Sequence, residues 1–250
     1  MFDRPKMKQF AKIQLKSRWT LPVLMTLLTG LIMILLYLPF IIYQLQAGSF
    51  RLQSDIFNIY LNKKSFSLYS QMPPLPVAVQ VTTIISYCTS FICSLASIHV
   101  YLCMSRSPEP VSFNTFFEGF ASWWRAIRTG IWMFIWTYLW SLLFIIPGIV
   151  KMLAYSQTMY LVAEYPTMPV RKAMRISIAI TRGYKGDLFV LHLSFLGWAL
   201  LATLSFGIGY LWLLPYSTMT LTNTYHWLLK QAVETNVITA EDLAERAQTL

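Results

Sequence analysis

The sequence predicts an all-α fold: a polytopic transmembrane bundle of about six spans, with two tight helical hairpins and amphipathic helices on its inner face. Three observations carry that prediction. No Asp, Glu, Lys or Arg lies between Arg18 and Arg51, between Lys64 and Arg106, or between Asp187 and Lys230, and Thr129–Ala163 holds a single charge, Lys151. Charged residues are 12% of the 250-residue chain against 56% hydrophobic, and mean hydropathy is +0.52, which is too little charge to wet a soluble domain. The uncharged runs are also long enough to cross lipid, which takes about 18 or more apolar residues.

Residues 1–18 carry Arg4, Lys6, Lys8, Lys12, Lys16 and Arg18, with Met7, Phe10 and Ile13 as one apolar face. That pattern predicts a basic amphipathic helix lying on a membrane surface. The apolar stretch after it exceeds the ~7–15 residues of a cleavable signal, so 21–45 is read as a retained first span. Trp19, Tyr37 and Tyr43 are its interface anchors, and Pro39 is the place for a kink. A polar connection follows over 46–74, with a short helix expected at 55–61. The second span is 75–104.

Ser-Arg-Ser-Pro-Glu-Pro, from Ser105, then breaks the helix, and Ser112 is a candidate N-cap. Phe113, Phe116, Phe117, Phe120 and Trp124 recur at helical spacing over 112–128. They predict an aromatic stripe for the membrane interface or the underside of the bundle.

Two blocks are too long for one crossing. As a single helix, 188–229 would extend roughly 63 Å, about twice the hydrocarbon core. A turn at Gly207-Ile208-Gly209 divides it into spans 188–206 and 209–229. Pro147-Gly148 likewise divides the block before it into 130–147 and 149–164, the latter short for a full crossing. Between them, 166–186 reads as a second surface helix, with Arg171, Arg175, Arg182 and Lys185 on one side and Ala173, Ile176, Ile180 and Tyr184 on the other. The organisation is thus a basic helix at 1–18, a six-span membrane domain at 19–230 and an acidic tail at 231–250. A faint echo links Trp140-Ser-Leu-Leu and Tyr155-Ser156 to Trp198-Ala-Leu-Leu and Tyr216-Ser217, as duplicated hairpins would.

The net charge of +10 would suggest nucleic acid in a soluble protein. Here the cations cluster between apolar blocks, which suits the anionic headgroups of membrane lipids, and no nucleic-acid partner is expected. With the N-terminus inside, inner segments hold six Lys and Arg at 1–18, three at 105–129, five at 165–187 and two at 230–250. The outer segments hold four: Arg51, Lys63, Lys64 and Lys151. That bias places both termini in the cytoplasm. Arg171, Lys172, Arg175, Arg182 and Lys185 are the candidate headgroup contacts.

Few polar groups fall inside the spans. Lys151 is expected to snorkel to the outer interface, and Glu164 and Asp187 to pair with Arg171 or Lys185. His99, His192 and His226 are scattered over three spans with no acid beside them. Ser86, Ser90, Ser94 and Ser97 form a stripe that suits either close helix packing or a polar path. Cys88, Cys93 and Cys103 share no metal-ligand or disulfide spacing and read as small apolar residues. No nucleophile elbow, phosphate-cradling loop or paired-carboxylate pattern is present, so no catalytic residue, metal or cofactor is expected.

Several stretches resemble one bacterial membrane family, called Domain of Unknown Function 975. They are Leu142 to Lys151 with Tyr155-Ser156; Val111-Ser112-Phe113 with Phe117 to Phe120; and Ser194 to Trp198 with Gly207-Ile208-Gly209 and Leu214-Pro215-Tyr216. The resemblance runs over most of residues 6–229. It implies a polytopic membrane protein and, since the family has no established activity, no catalytic residue. The expectation is a non-enzymatic multi-pass protein of the bacterial cytoplasmic membrane, acting through lipid or protein partners in a scaffold or envelope role. The competing expectation is a small-solute transporter or channel using the serine stripe.

Overall fold

Helices are the regular structure of the computed structural model, which describes residues 2–46, 75–239 and 242–243, and no strand occurs among them. The polar connection at 47–74, with its expected helix at 55–61, lies outside the described residues, as does most of the acidic tail. By contacts the chain divides into two compact units, residues 28–90 and residues 1–27 with 91–250.

Helix α1 (Arg4–Leu15) starts because the Asp3 carboxylate accepts the Lys6 backbone N–H at 3.1 Å, with Pro5 in the first turn, where no N–H is needed. Met7, Ala11 and Leu15 fall on one face and are buried, packed against α10 (Tyr210–Glu234). Phe2 meets Trp227 edge-on at 5.0 Å, and the Lys8 and Lys12 ammoniums lie 4.5 and 5.9 Å from the rings of Phe195 and Tyr216. Burial, with Lys12 one turn away, pulls the Lys8 pKa below its usual value. The expected apolar face is thereby corrected. Only Met7 of the three is buried, whereas Phe10 and Ile13 are exposed on the side away from α10.

Helix α2 (Thr20–Gln46) continues through Pro39, and α3 spans Val77–Arg106. Within 28–90 the surface of both is apolar, with Leu31, Ile34, Leu35, Ile84 and Ile85 exposed. Lipid tolerates such surface; water does not. Arg18 holds the far end of α3, donating to the carbonyls of Met104 (3.2 Å), Ser107 (2.9 Å) and Glu109 (2.6 Å). A cation at a helix C-terminus satisfies orphan carbonyls and the helix dipole together.

The expected surface helix over 112–128 is replaced by three pieces. These are α4 (Asn114–Glu118), a 3₁₀ turn (Gly119–Ser122) and α5, which runs from Trp123 to Leu143. Phe116 is buried while Phe117 and Trp124 are exposed, and Phe116 meets Phe120 edge-on at 5.1 Å. At this bend Gly119 abuts α3. A β-carbon on it would lie 2.5 Å from Ala96 Cα.

Helix α5 is followed by one extended residue, Phe144 (φ −158°, ψ 150°), and α6 (Ile145–Tyr155) begins at once. The break is therefore three residues earlier than Pro147-Gly148. Proline fits the first turn of α6 because it lacks the N–H that would go unpaired there. Gly148 serves packing: a β-carbon would meet Ser141 of α5, whose Cα lies 2.8 Å away. The short fourth span is itself broken, with α6 ending at Tyr155 and α7 covering Thr158–Glu164. At that break Ser177 and Thr181 of α8 (Val170–Ile180) donate to the freed Ala154 carbonyl at 2.7 and 3.5 Å.

The second surface helix ends at Ile180 rather than near 186, so Arg182 lies in a turn and Lys185 opens α9 (Lys185–Leu204). Ala173, Ile176 and Ile180 are buried and Arg171 and Arg175 exposed, as its periodicity predicts. Asp187 sits in the first turn of α9, where the helix dipole favours a carboxylate. The chain then turns over Ser205–Gly209. Gly207 takes φ +87°, a conformation costly for other residues, and its N–H reaches the Ala202 carbonyl at 3.0 Å.

Among the described residues, four helical stretches are long and apolar enough to cross a membrane: Thr20–Leu45, Val77–Arg106, Ile145–Glu164 and Lys185–Leu204. The stretches Trp123–Leu143 and Tyr210–Glu234 are long enough, but they are not among those four.

Polar side chains tie the helix ends together. Glu164, closing α7, accepts from the Arg106 guanidinium and from the Tyr225 hydroxyl, so its partner is neither Arg171 nor Lys185. The Tyr225 ring stacks on Tyr160 at 5.3 Å, and Ser105 shares a 2.8 Å hydrogen bond with His226. Asn223 donates to Gln14 Oε1 at 2.8 Å, and Gln14 donates to the Ser105 carbonyl at 3.3 Å. One network thus joins α1, α3, α7 and α10.

Two substitutions test this packing. Gly119→Ala forces backbone against backbone and is expected to cost about 1–3 kcal/mol. Gly197→Ala, with no atom within 4 Å of its would-be β-carbon, should instead stabilise α9 by up to about 1 kcal/mol. Thermal unfolding in detergent should therefore move in opposite directions for the two. For the clamp, Glu164→Gln removes the charge that both Arg106 and Tyr225 address and should destabilise by about 1–3 kcal/mol. An unchanged Tm would show that the clamp does not hold the helix ends.

Candidate functional site

Three helices each contribute residues one turn apart to a common groove. Trp132, Trp136 and Trp140 recur every fourth residue on α5; Lys151 and Tyr155 do so on α6, and Arg171 and Arg175 on α8. Residues four apart lie over one another on a helix face, so each helix presents a ladder. The ladders meet because α5, α6 and α8 pack mutually, and Gly148 lets α6 come close to α5. Tyr155 and Met174, which line the groove, form one buried cluster with Val170, against which Trp132, Met133 and Ile178 pack. The resulting cavity is about 440 Å³.

Its electrostatics are one-signed. The Lys151 ammonium lies 4.4 Å from the centre of the Trp140 ring, and the Arg171 guanidinium 5.2 Å from that of Trp132. Each such contact contributes roughly 0.5–2 kcal/mol depending on how dry the site is. Among the described residues no carboxylate lines the groove and none forms an ion pair with Lys151, Arg171 or Arg175. Aromatic walls with uncompensated cations make a binding surface for an anion that carries apolar chains.

Counting charges places Lys151 on the outer face and Arg171 and Arg175 on the inner, and the groove brings all three to one cavity. The rings covered by Lys151 and Arg171 are eight residues apart on α5, about 12 Å along the helix. Helix α6 folds back directly after Phe144, and Lys151 returns along α5 with it.

Of the candidate headgroup contacts, Arg171 and Arg175 line the groove, while Lys172, Arg182 and Lys185 do not. The tryptophan ladder is the part that sequence reasoning missed. Its signal was present as Trp132, Trp136 and Trp140 at helical spacing beside a lone lysine.

The other candidates scatter. Ser86 is buried and donates to the Thr82 carbonyl at 2.8 Å, Ser90 and Ser94 are exposed, and Ser97 is half-buried. Cys93 is buried, Cys88 and Cys103 partly so, and all three are free thiols. His192 bonds its own helix at the Leu188 carbonyl, 2.8 Å away. Among the described residues no group of three His, Cys, Asp or Glu is placed to hold a metal.

No curated protein and no solved structure matches the chain. Every residue lining the groove falls within one stretch, residues 129–232, and that stretch matches the family described as "Protein of unknown function (DUF975)".

Proposed function

We propose that this is a multi-pass protein of a bacterial cytoplasmic membrane, with six spans and both termini inside. In this reading it works by holding anionic lipid in the tryptophan–cation groove rather than by catalysis. The observation that carries the reading is the convergence of Lys151, Arg171 and Arg175 on one groove, with Lys151 and Arg171 over tryptophan faces and, among the described residues, no carboxylate in the lining. If α5 crosses the membrane, charges set over rings 12 Å apart cannot both lie at one boundary. A cation at depth is costly and calls for a counter-charge. A lipid phosphate supplies it while the acyl chains stay in the apolar phase. The exposed Phe10 and Ile13 of α1, flanked by Lys6 and Lys16, add a second basic and apolar face for the inner leaflet.

The triple change Lys151→Gln, Arg171→Gln and Arg175→Gln should lower retention of phosphatidylglycerol on the purified protein at least ~10-fold by native mass spectrometry, a loss of about 1.4 kcal/mol. The pair Arg182→Gln and Lys185→Gln, outside the groove, should change it less than ~2-fold, within about 0.4 kcal/mol. Equal losses in both would reduce the groove to general surface charge. For orientation, tags on the two termini should be shielded in intact cells and accessible only after permeabilisation. A tag exposed on intact cells overturns the proposed topology.

A further inference from the structure

We infer that the groove selects a lipid carrying two phosphate groups, a conclusion that rests on the anionic-lipid reading above. The cations are not gathered at one point. Arg171 is held on Trp132 and Lys151 on Trp140, with Trp136 between them, so the charges stand over opposite ends of an aromatic wall about 12 Å long. Arg175, one turn beyond Arg171 on α8, adds a second guanidinium to the groove.

A phosphate oxygen approaches a cationic N–H donor to about 2.8 Å, so a single phosphate engages one end of such a wall and leaves the other cation unmatched. Two phosphates, joined directly or through a three-carbon bridge, engage both ends. The asymmetry of the donors fits as well. Two planar forks at the α8 end suit bidentate capture, and the single ammonium at the α6 end serves as a point charge.

Between the charges the wall is Trp136, with Met174 and Ile178 on the α8 side, which suits hydrocarbon and offers no acid to repel the ligand. Lys151 and Arg171 are already seated on rings, so their binding costs little ordering of long side chains. Two sources share this chemistry: a cardiolipin, whose phosphates are bridged by glycerol, and a polyprenyl diphosphate, whose phosphates are joined directly.

The test is lipid exchange on the full-length protein in detergent, followed by native mass spectrometry. Phosphatidylglycerol, cardiolipin and undecaprenyl diphosphate compete at matched total phosphate, on wild type, Lys151→Gln and Arg171→Gln with Arg175→Gln. Wild type should retain at least one of the two-phosphate lipids ~10-fold or more over phosphatidylglycerol, and whichever is retained identifies the source. Lys151→Gln should bring that preference down to about 2-fold or less by removing one anchor. Equal retention of all three lipids overturns the two-phosphate inference and leaves the anionic-lipid reading standing. Preference unchanged in Lys151→Gln also overturns it. No retention of any anionic lipid overturns both. Circular dichroism of each variant, expected to keep the wild-type helical signal, together with a cooperative unfolding transition, separates lost binding from lost fold.

Discussion

Backbone polar groups freed at helix ends and breaks need partners in apolar surroundings, and the arrangement of this chain follows from where those partners come from. An unpaired polar group away from water costs several kcal/mol, so each interruption has to be closed by something nearby. Arg18 closes the end of α3 through three carbonyls, and Ser177 and Thr181 close the α6–α7 break at Ala154. Glu164 gathers Arg106 and Tyr225 where α7 ends. These contacts decide which helices are neighbours. Hydrophobic surface alone, abundant on every face, could not.

The same constraint separates structural polar residues from the groove. Hydroxyls along the helices mostly answer to their own chain: Ser86 to the Thr82 carbonyl, Thr222 to Thr218, Thr224 to Thr220. Such i−4 bonds make a serine or threonine tolerable in lipid without a partner helix. Of the serine stripe, Ser86 is held in this way, while Ser90 and Ser94 are exposed. Lys151 and Arg171 are different. They rest on aromatic faces, which hold a cation without neutralising it, and so retain the capacity to meet an anion.

The two helix pairs also bear on the faint duplication. Gly148 packs on Ser141 and Gly209 on Ala202, each a glycine seven residues after the position it meets. The interval of 61 between Gly148 and Gly209 recurs between Tyr155 and Tyr216 and between Ser156 and Ser217. Each pair carries a short basic helix with cations over its rings, α8 with Arg171 on Trp132 and α1 with Lys8 and Lys12 on Phe195 and Tyr216. Close approach of two helices needs a residue without a side chain at one fixed place, and this is where the echo is firmest.

By itself the sequence determined the class of structure and most helix limits, because charge-free length and helical periodicity are local properties that survive any packing. The turn at Gly207, the exposed face of Arg171 and Arg175, and the long apolar stretches at 20–45 and 77–106 are of this kind. What only the tertiary structure decided was which local features meet. Glu164 lies 7 residues from Arg171, yet it pairs with Arg106 across 58. Lys151 reads as a lone charge beside a turn until α6 folds back and sets it on Trp140. The break lies at Phe144, and Pro147 falls inside the first turn of α6, where its missing N–H is not needed. Pairing across the chain depends on geometry summed over many residues. Periodicity names the faces, and packing chooses which of them touch.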